Sequence, residues 1–247
     1  MTAAPALFRF DHERHADVRL LPGIDIADYA KVQQVKLGLH EIGDAAADYP
    51  LAFLKDANSG QFRLVAMLGL AAGTNAYLHG DFWQAVYLPQ EIVAAPFSFA
   101  GPDGDLCINE ASARVATDIG EPLFAADGSE APVLRTIRTT LDELAQGRAA
   151  ADQLIAAVSA AELIRPVAVT IRFDAGPAEA LDGLYTLSPV QLRALQPAVL
   201  TDLHRRDLLA PAYAIIQSLS QFNRIRQLHN LNSARQIAAL ELVLDQP

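Results

Sequence analysis

A single cysteine, Cys107, is all the thiol that this 247-residue chain carries. One thiol excludes an internal disulfide and a cysteine-built zinc site, each of which needs several, and Cys107 reads as a packed, reduced side chain. Basic charge is scarce too. The 19 Lys and Arg stand against 29 Asp and Glu, a formal net charge of −10, and the positive residues are nearly all arginines placed singly or in pairs. Such a surface repels phosphate backbones, so nucleic acid is not an expected partner. The local exception is His204-Arg205-Arg206-Asp207, followed by Arg224 and Arg226, which reads either as a small positive patch or as a solvated helix face.

Long apolar runs are absent as well. Hydrophobic residues make up 51% of the chain, much of it alanine, but no stretch approaches the roughly 18 apolar residues of a membrane helix. The N-terminus, MTAAPALFRFDHERHADVRL, has neither a basic start nor a continuous apolar segment, so no secretory leader is expected and a cytoplasmic location is. Catalytic signatures are equally thin. There is no Gly-x-Ser-x-Gly elbow, no histidine lies near Cys107 in the sequence, and Ser218 and Ser220 sit in a helical stretch among apolar residues. GLAAG at 69–73 lacks both the Lys-Ser/Thr ending of a phosphate loop and the third glycine of a dinucleotide fingerprint.

What is present is a change of pattern along the chain. KVQQVKLGLHE (31–41), LAFLK (51–55) and QFRLVAMLGL (61–70) read as strands, the last two joined by a hairpin turn at DANSG. QFRLVAMLGL is apolar on both faces and belongs inside a sheet. FSFAGPDGDLCINEAS reads as two short strands around a turn at GPDG. From 130 to 163 the period becomes helical, with Leu134, Ile137, Leu141 and Leu144 on one face and Leu154, Ile155, Val158 and Leu163 on another, and Gly147 marks an expected break between two helices. VAVTIRF and LDGLYTL are expected to return as strands to the N-terminal sheet. Ser188 and Pro189 then start a helix, and helices are expected over 188–195, 197–207 and 210–244, the last either continuous or broken near Asn230 and Asn232. The whole reads as an α+β protein: a β-rich part over 1–128 with an antiparallel sheet, and a mainly helical part over 129–247 packed against it, as two domains or one continuous one.

Two segments invite a metal reading. His79-Gly80-Asp81 has the His-x-Asp spacing that opens the facial triad of non-haem iron oxygenases, and His204 or His229 would complete it, with Fe(II) and 2-oxoglutarate as cofactors. A Gly-Asp turn explains the same residues more simply. Asp103-Gly104-Asp105 with Asn109 and Glu110 supplies hard oxygen ligands, but without the alternate-position spacing of a calcium loop, and a polar turn suffices. The stronger feature is a cluster of aromatics and prolines. Tyr77, Phe82, Trp83, Tyr87, Pro89, Pro96 and Phe97 fall close together, and such a group either lines a groove for a protein or peptide partner, with Trp83 as anchor, or packs under a sheet.

The order of AAADYPLAFL, FRLVAMLGL, NAYLHGDFWQAVYLP, APFSF, GEPLFAADG, GLYTLSPVQLRAL and LLAPAYAIIQSLSQFNRI resembles the SapC-like family over about residues 30–230. Trp83, Tyr87, Pro89, Pro96-Phe97, Gly120-Glu121, Phe124 and Gly183-Leu184-Tyr185 carry the match. His79 is outside the family pattern. The family takes its name from an association with bacterial surface layers, has no established catalytic residues, and is distinct from the membrane permease of the same name. Its members are often encoded near TonB-dependent receptors, tryptophan-halogenase-like flavoproteins and cupin-like proteins. The resemblance therefore implies a non-catalytic accessory protein without a cofactor, tied to nutrient uptake or to modification of a surface or peptide substrate. Alternatives are the iron- and 2-oxoglutarate-dependent oxygenase using His79, Asp81 and a distal histidine, and a structural protein of the surface layer.

Overall fold

A computed structural model describes residues 7–100 and 104–244. In chain order it contains β1 (Leu7–Arg9), β2 (Arg19–Leu20), β3 (Gln34–Lys36), α1 (Ile42–Asp48), β4 (Leu51–Lys55), β5 (Phe62–Met67), β6 (Leu78–His79), β7 (Phe82–Trp83), α2 (Gln90–Ala94), β8 (Phe97–Ala100), β9 (Asp105–Asn109), β10 (Val115–Ala116) and β11 (Glu121–Pro122). There follow α3 (Pro132–Ala160), β12 (Ile164–Phe173), β13 (Glu179–Leu187), α4 (Pro189–Arg193), α5 (Pro197–Arg205), α6 (Leu209–Ser218), α7 (Phe222–Asn232) and β14 (Ile237–Leu244). The protein is α+β: most strands precede residue 128, and the long helices follow it.

The chain forms two compact units, one from residues up to Tyr29 and Gln90–Ala145, the other from Ala30–Pro89 and the chain beyond Gln146. The first unit holds two small antiparallel sheets, β1-β9-β8 and β10-β2-β11. Their apolar sides close on the first half of α3, so that Leu20, Phe97, Ile108, Leu123, Leu134 and Leu141 form one core. Cys107 lies buried in β9 as a free thiol. Among the described residues, the polar side chains of Asp105, Asn109 and Glu110 around β9 each have a partner. Asp105 pairs with Arg9 at 3.1 Å, Asn109 donates to Asp28 at 3.3 Å, and Glu110 accepts from Arg14 at 2.7 Å. Asp103, the first residue of the calcium-loop reading, lies outside the described residues.

The second unit is built on a six-stranded antiparallel sheet in the order β14-β12-β13-β4-β5-β3. The DANSG hairpin forms as expected: Asp56 Oδ1 accepts from the amides of Asn58 and Ser59, and Gly60 takes the positive φ of +70° that the reversal requires. β5 lies inside the sheet between β4 and β3, which is why Leu64, Val65, Ala66 and Met67 are all buried. β12 and β13 return to this sheet through the pairs Leu184 with Leu54 and Tyr185 with Phe53. Ser188 caps α4 by accepting from the Gln191 amide, with Pro189 in the first turn. Ser218 serves the packing: its Oγ accepts from Leu51 N at 2.9 Å and donates to Ile215 O at 2.7 Å, tying α6 to the start of β4.

Two expectations need correction. Gly147 does not break α3, which runs unbroken from Pro132 to Ala160. It is glycine for lack of space, because a Cβ there would stand 2.1 Å from His40 Nδ1 and 3.2 Å from the Gly38 Cα. The stop comes instead at Glu162, whose φ of +54° lets its own amide reach Ser159 O and the Leu163 amide reach Val158 O, a left-handed helix terminator usually given to glycine. The helical stretch expected over 210–244 does break near Asn230 and Asn232, where α7 ends, but beyond the break 237–244 is a strand and not a helix. Ser233 turns the backbone extended, and pairing of β14 with β12 from Leu244 back to Ile237 outweighs the helix preference of an Ala- and Leu-rich segment. Of the C-terminal arginines, Arg206 pairs with Asp202 at 3.1 Å, while Arg224 donates to Gln84 O at 2.6 Å.

Candidate functional site

The aromatic stretch folds as a short hairpin and a return strap. β6 and β7 pair through Leu78 with Trp83 and His79 with Phe82, and Gly80 turns the corner at φ +57°. Period-2 alternation then sends neighbours to opposite sides. Trp83 points inward and is half-buried, whereas Phe82 is 72% exposed.

The strap is fastened from inside by α1 and its continuation. Tyr49, buried just after α1, accepts a hydrogen bond from Trp83 Nε1 at 2.7 Å and donates to Tyr87 O at 2.5 Å. Tyr77, also buried, donates to Asp48 O at 2.7 Å, and its ring centroid lies 4.6 Å from that of Tyr49 and 6.3 Å from that of Trp83. Asp48 Oδ2 accepts from the amides of Val86 and Tyr87 at 2.9 and 2.8 Å. Arg224 of α7 lies 3.9 Å from Asp48 Oδ1 and donates to Gln84 O. At the far end Tyr87 donates to Glu41 Oε1 at 2.9 Å, and the other oxygen of that buried carboxylate accepts from Gly38 N at 2.7 Å.

These contacts set the chemistry. Burial pushes the Tyr49 hydroxyl well above the usual tyrosine range, only partly opposed by the bond from Trp83. Tyr77 is raised mainly by burial and then by Tyr49, and Tyr87 by burial and by the Glu41 carboxylate beside it. All three therefore stay protonated as fixed donors and do not serve as bases near neutral pH. Asp48 and Glu41 already accept from backbone amides. The arrangement positions a backbone segment; it does not present a nucleophile with its base.

Its outer side is different. Val86 is 97% exposed, and with Phe82 it gives the strap two apolar side chains directed at solvent, next to exposed His79, Gly80 and Asp81. The structure thus divides the sequence candidates. Tyr77 is core, Trp83 and Tyr87 are anchors, Pro89 is buried at the end of the strap, and Phe82 faces out. Pro96 and Phe97 belong to the other unit, where both are buried and Phe97 joins the core of that unit. His79, Asp81, His204 and His229 are not brought together: among the described residues no group of three or more His, Cys, Asp or Glu could hold a metal ion. His204 stands in the last turn of α5, and His229 Nε2 bonds Arg235 O at 2.9 Å.

Sequence reading missed Asp48, Tyr49 and Glu41, and named Arg224 only as part of a positive patch. Asp48 and Tyr49 do lie within the AAADYPLAFL run, but nothing local marks Arg224, which reaches the strap from about 140 residues downstream. It also missed a second polar knot in the first unit. His15 is buried, with Nε2 3.0 Å from Glu110 Oε1 and Nδ1 within hydrogen-bond reach of the Asp11 backbone, and Phe10 stacks on its ring at 5.0 Å. Both ring nitrogens are occupied, so this histidine holds the N-terminal segment to the end of β9 and has no free nitrogen for a substrate. The hydrogen bond from Arg14, followed by that from His15, keeps the Glu110 carboxyl below its ordinary value.

A family model described as SapC matches residues 10–225, and the chain belongs to that family. No curated protein and no solved structure matches it.

Proposed function

We propose that this SapC-family chain is a non-catalytic accessory protein that recognises a protein or peptide partner through the outer side of residues 79–86. The observation that carries the reading is the pairing of an exposed apolar surface with a fixed backbone: Phe82 and Val86 project into solvent while Trp83, Val86 N and Tyr87 N are bonded from beneath. A side chain held out by an ordered backbone loses little conformational entropy on binding, which is what makes a small apolar contact effective. Two projecting side chains fit a partner that offers an apolar socket. Work in the cytoplasm, beside TonB-dependent uptake or modification of a surface or peptide substrate, is the setting this role implies.

The test is capture of partners by the tagged chain from cells that express it natively, run beside Phe82→Ser/Val86→Ser. Both positions are exposed, so the double variant is expected to melt like the wild type. One partner enriched by the wild type and lost with the variant supports the reading. A partner retained by the variant moves recognition elsewhere on the chain.

A further inference from the structure

The two edges of the six-stranded sheet are not alike. β3 closes one edge with only three residues, one of them the exposed Lys36. A short edge carrying a lysine discourages another strand from adding to it. β14 closes the other edge with eight residues, IAALELVL, that include neither proline nor a basic side chain. Its protection lies at its start, where Asn230 and Arg226 of α7 bond the backbone of Ile237 and Ala238 and the register shifts opposite Arg172/Phe173, and this leaves Ala239–Leu244 in regular register with β12. Among the described residues no strand pairs with its outer side.

The side chains of β14 are also incomplete as a layer. Leu240, Leu242 and Leu244 stand opposite buried Ile171, Val169 and Val167, so they belong to the core face of the sheet, yet all three remain half-buried where the row runs out. The opposite face carries Glu241 and Val243, the latter 59% exposed. Glu241 is the only charge on the strand and is held by both Nε and Nη2 of Arg172 at 2.8 and 3.1 Å. This edge is thus locally neutral on a chain of net charge −10.

We infer that the outer edge of β14 joins two copies of this chain, pairing antiparallel about a two-fold axis through Leu242. The register follows from the side chains. Antiparallel pairing about a residue keeps each face on its own side. A two-fold axis at Leu242 sets Leu240 opposite Leu244 of the second copy and Leu242 opposite itself, which continues the leucine row. On the other face it sets Glu241 opposite Val243 of the second copy. An axis one residue earlier would put Glu241 against its own copy, the like-charge pair that antiparallel sheets avoid. The self-complementary spacing of one charge and three leucines selects a second copy of this chain over an unrelated strand, and the contact is the isologous kind that closes after two subunits.

The register makes the test specific. Sedimentation velocity across a dilution series compares the full chain with Val243→Glu and Val243→Lys, with circular dichroism to show that each variant is folded. The wild type is expected to be dimeric. Val243→Glu faces Glu241 of the second copy twice across the axis and is expected to weaken the dimer on the order of tenfold, whereas Val243→Lys faces the same carboxylate and keeps it. A wild type that stays monomeric at every concentration overturns the inference. So do two variants that weaken equally, or two that leave the dimer untouched. A monomeric wild type that takes up an added extended peptide along β14 would assign the edge to another partner.

Discussion

The two units are fastened in contrasting ways. In the unit that carries the strap, residues 77–87 are held from within by the hydroxyls of Tyr49, Tyr77 and Tyr87 and by the carboxylates of Asp48 and Glu41. In the other unit the ties are a few buried contacts, His15 with Glu110 and Asp25 with Ser112 and the Ala113 amide. They are joined at the surface by ion pairs, Arg9 with Asp105 and Arg14 with Glu110 across the chain and Arg138 with Glu130 nearby in sequence. Buried bonds are costly to leave half-made, whereas exposed pairs are individually weak and screened by salt. The difference teaches where rigidity is concentrated. In the unit that carries the strap, a dense set of buried polar contacts lies directly under a segment that displays two apolar side chains.

The largest effect is expected from Asp48→Ala. It removes the acceptor for Val86 N and Tyr87 N and leaves Arg224 facing an empty site, so a loss of about 3 kcal/mol is expected in chemical denaturation followed by Trp83 fluorescence. Next comes Tyr49→Phe, which leaves Trp83 Nε1 without its acceptor and Tyr87 O without its donor, for about 2 kcal/mol. The same two variants leave the contacts of Arg14, His15 and Glu110 intact. If they loosened residues 11–15 as much as the strap, the contrast between the units would collapse.

A pH titration sharpens the comparison from the other side. Tyr49, Tyr77 and Tyr87 have folded values raised above the unfolded one. Their contribution is therefore fully present below the unfolded value near 10 and is lost as pH rises toward the folded values, because the unfolded chain releases its protons first. Ultraviolet titration is expected to show these hydroxyls failing to ionise in the ordinary tyrosine range while the protein is folded. Glu110 has the opposite sign: its lowered value supplies stability that is present at neutral pH and lost as pH falls through the acid range. The smallest effect is expected from Arg9→Ala, which breaks a pair whose arginine side chain is 75% exposed, for about 0.5 kcal/mol or less, shrinking further in high salt.

How much of this was legible in the sequence follows the range of the interactions. The DANSG hairpin, the Ser188-Pro189 start and the β-branched VAVTIRF are local signals, and each forms what it spells. β14 and Gly147 are not local. IAALELVL has the composition of a helix and becomes a strand because β12 offers it a partner, and Gly147 looks like a break but is a contact with Gly38 and His40. The aromatic stretch announced itself by composition, but composition does not say which side faces in. Phe82 and Trp83 are adjacent, and only the pairing of β6 with β7 and the bond to Tyr49 send one out and the other in. Pro96 and Phe97, grouped with them by proximity in the chain, belong to a different core.

The most direct test of the central claim is native-state hydrogen exchange at the amides of Val86 and Tyr87, in the wild type and in Asp48→Asn. A strap held as a fixed display predicts slow exchange at both amides in the wild type. In the variant, which keeps the size of the side chain but removes its charge, exchange should be faster by about tenfold or more, while residues 11–15 are unchanged. Fast exchange at Val86 and Tyr87 in the wild type would contradict the account, because the segment would then be moving and Phe82 and Val86 would have no fixed place from which to meet a partner.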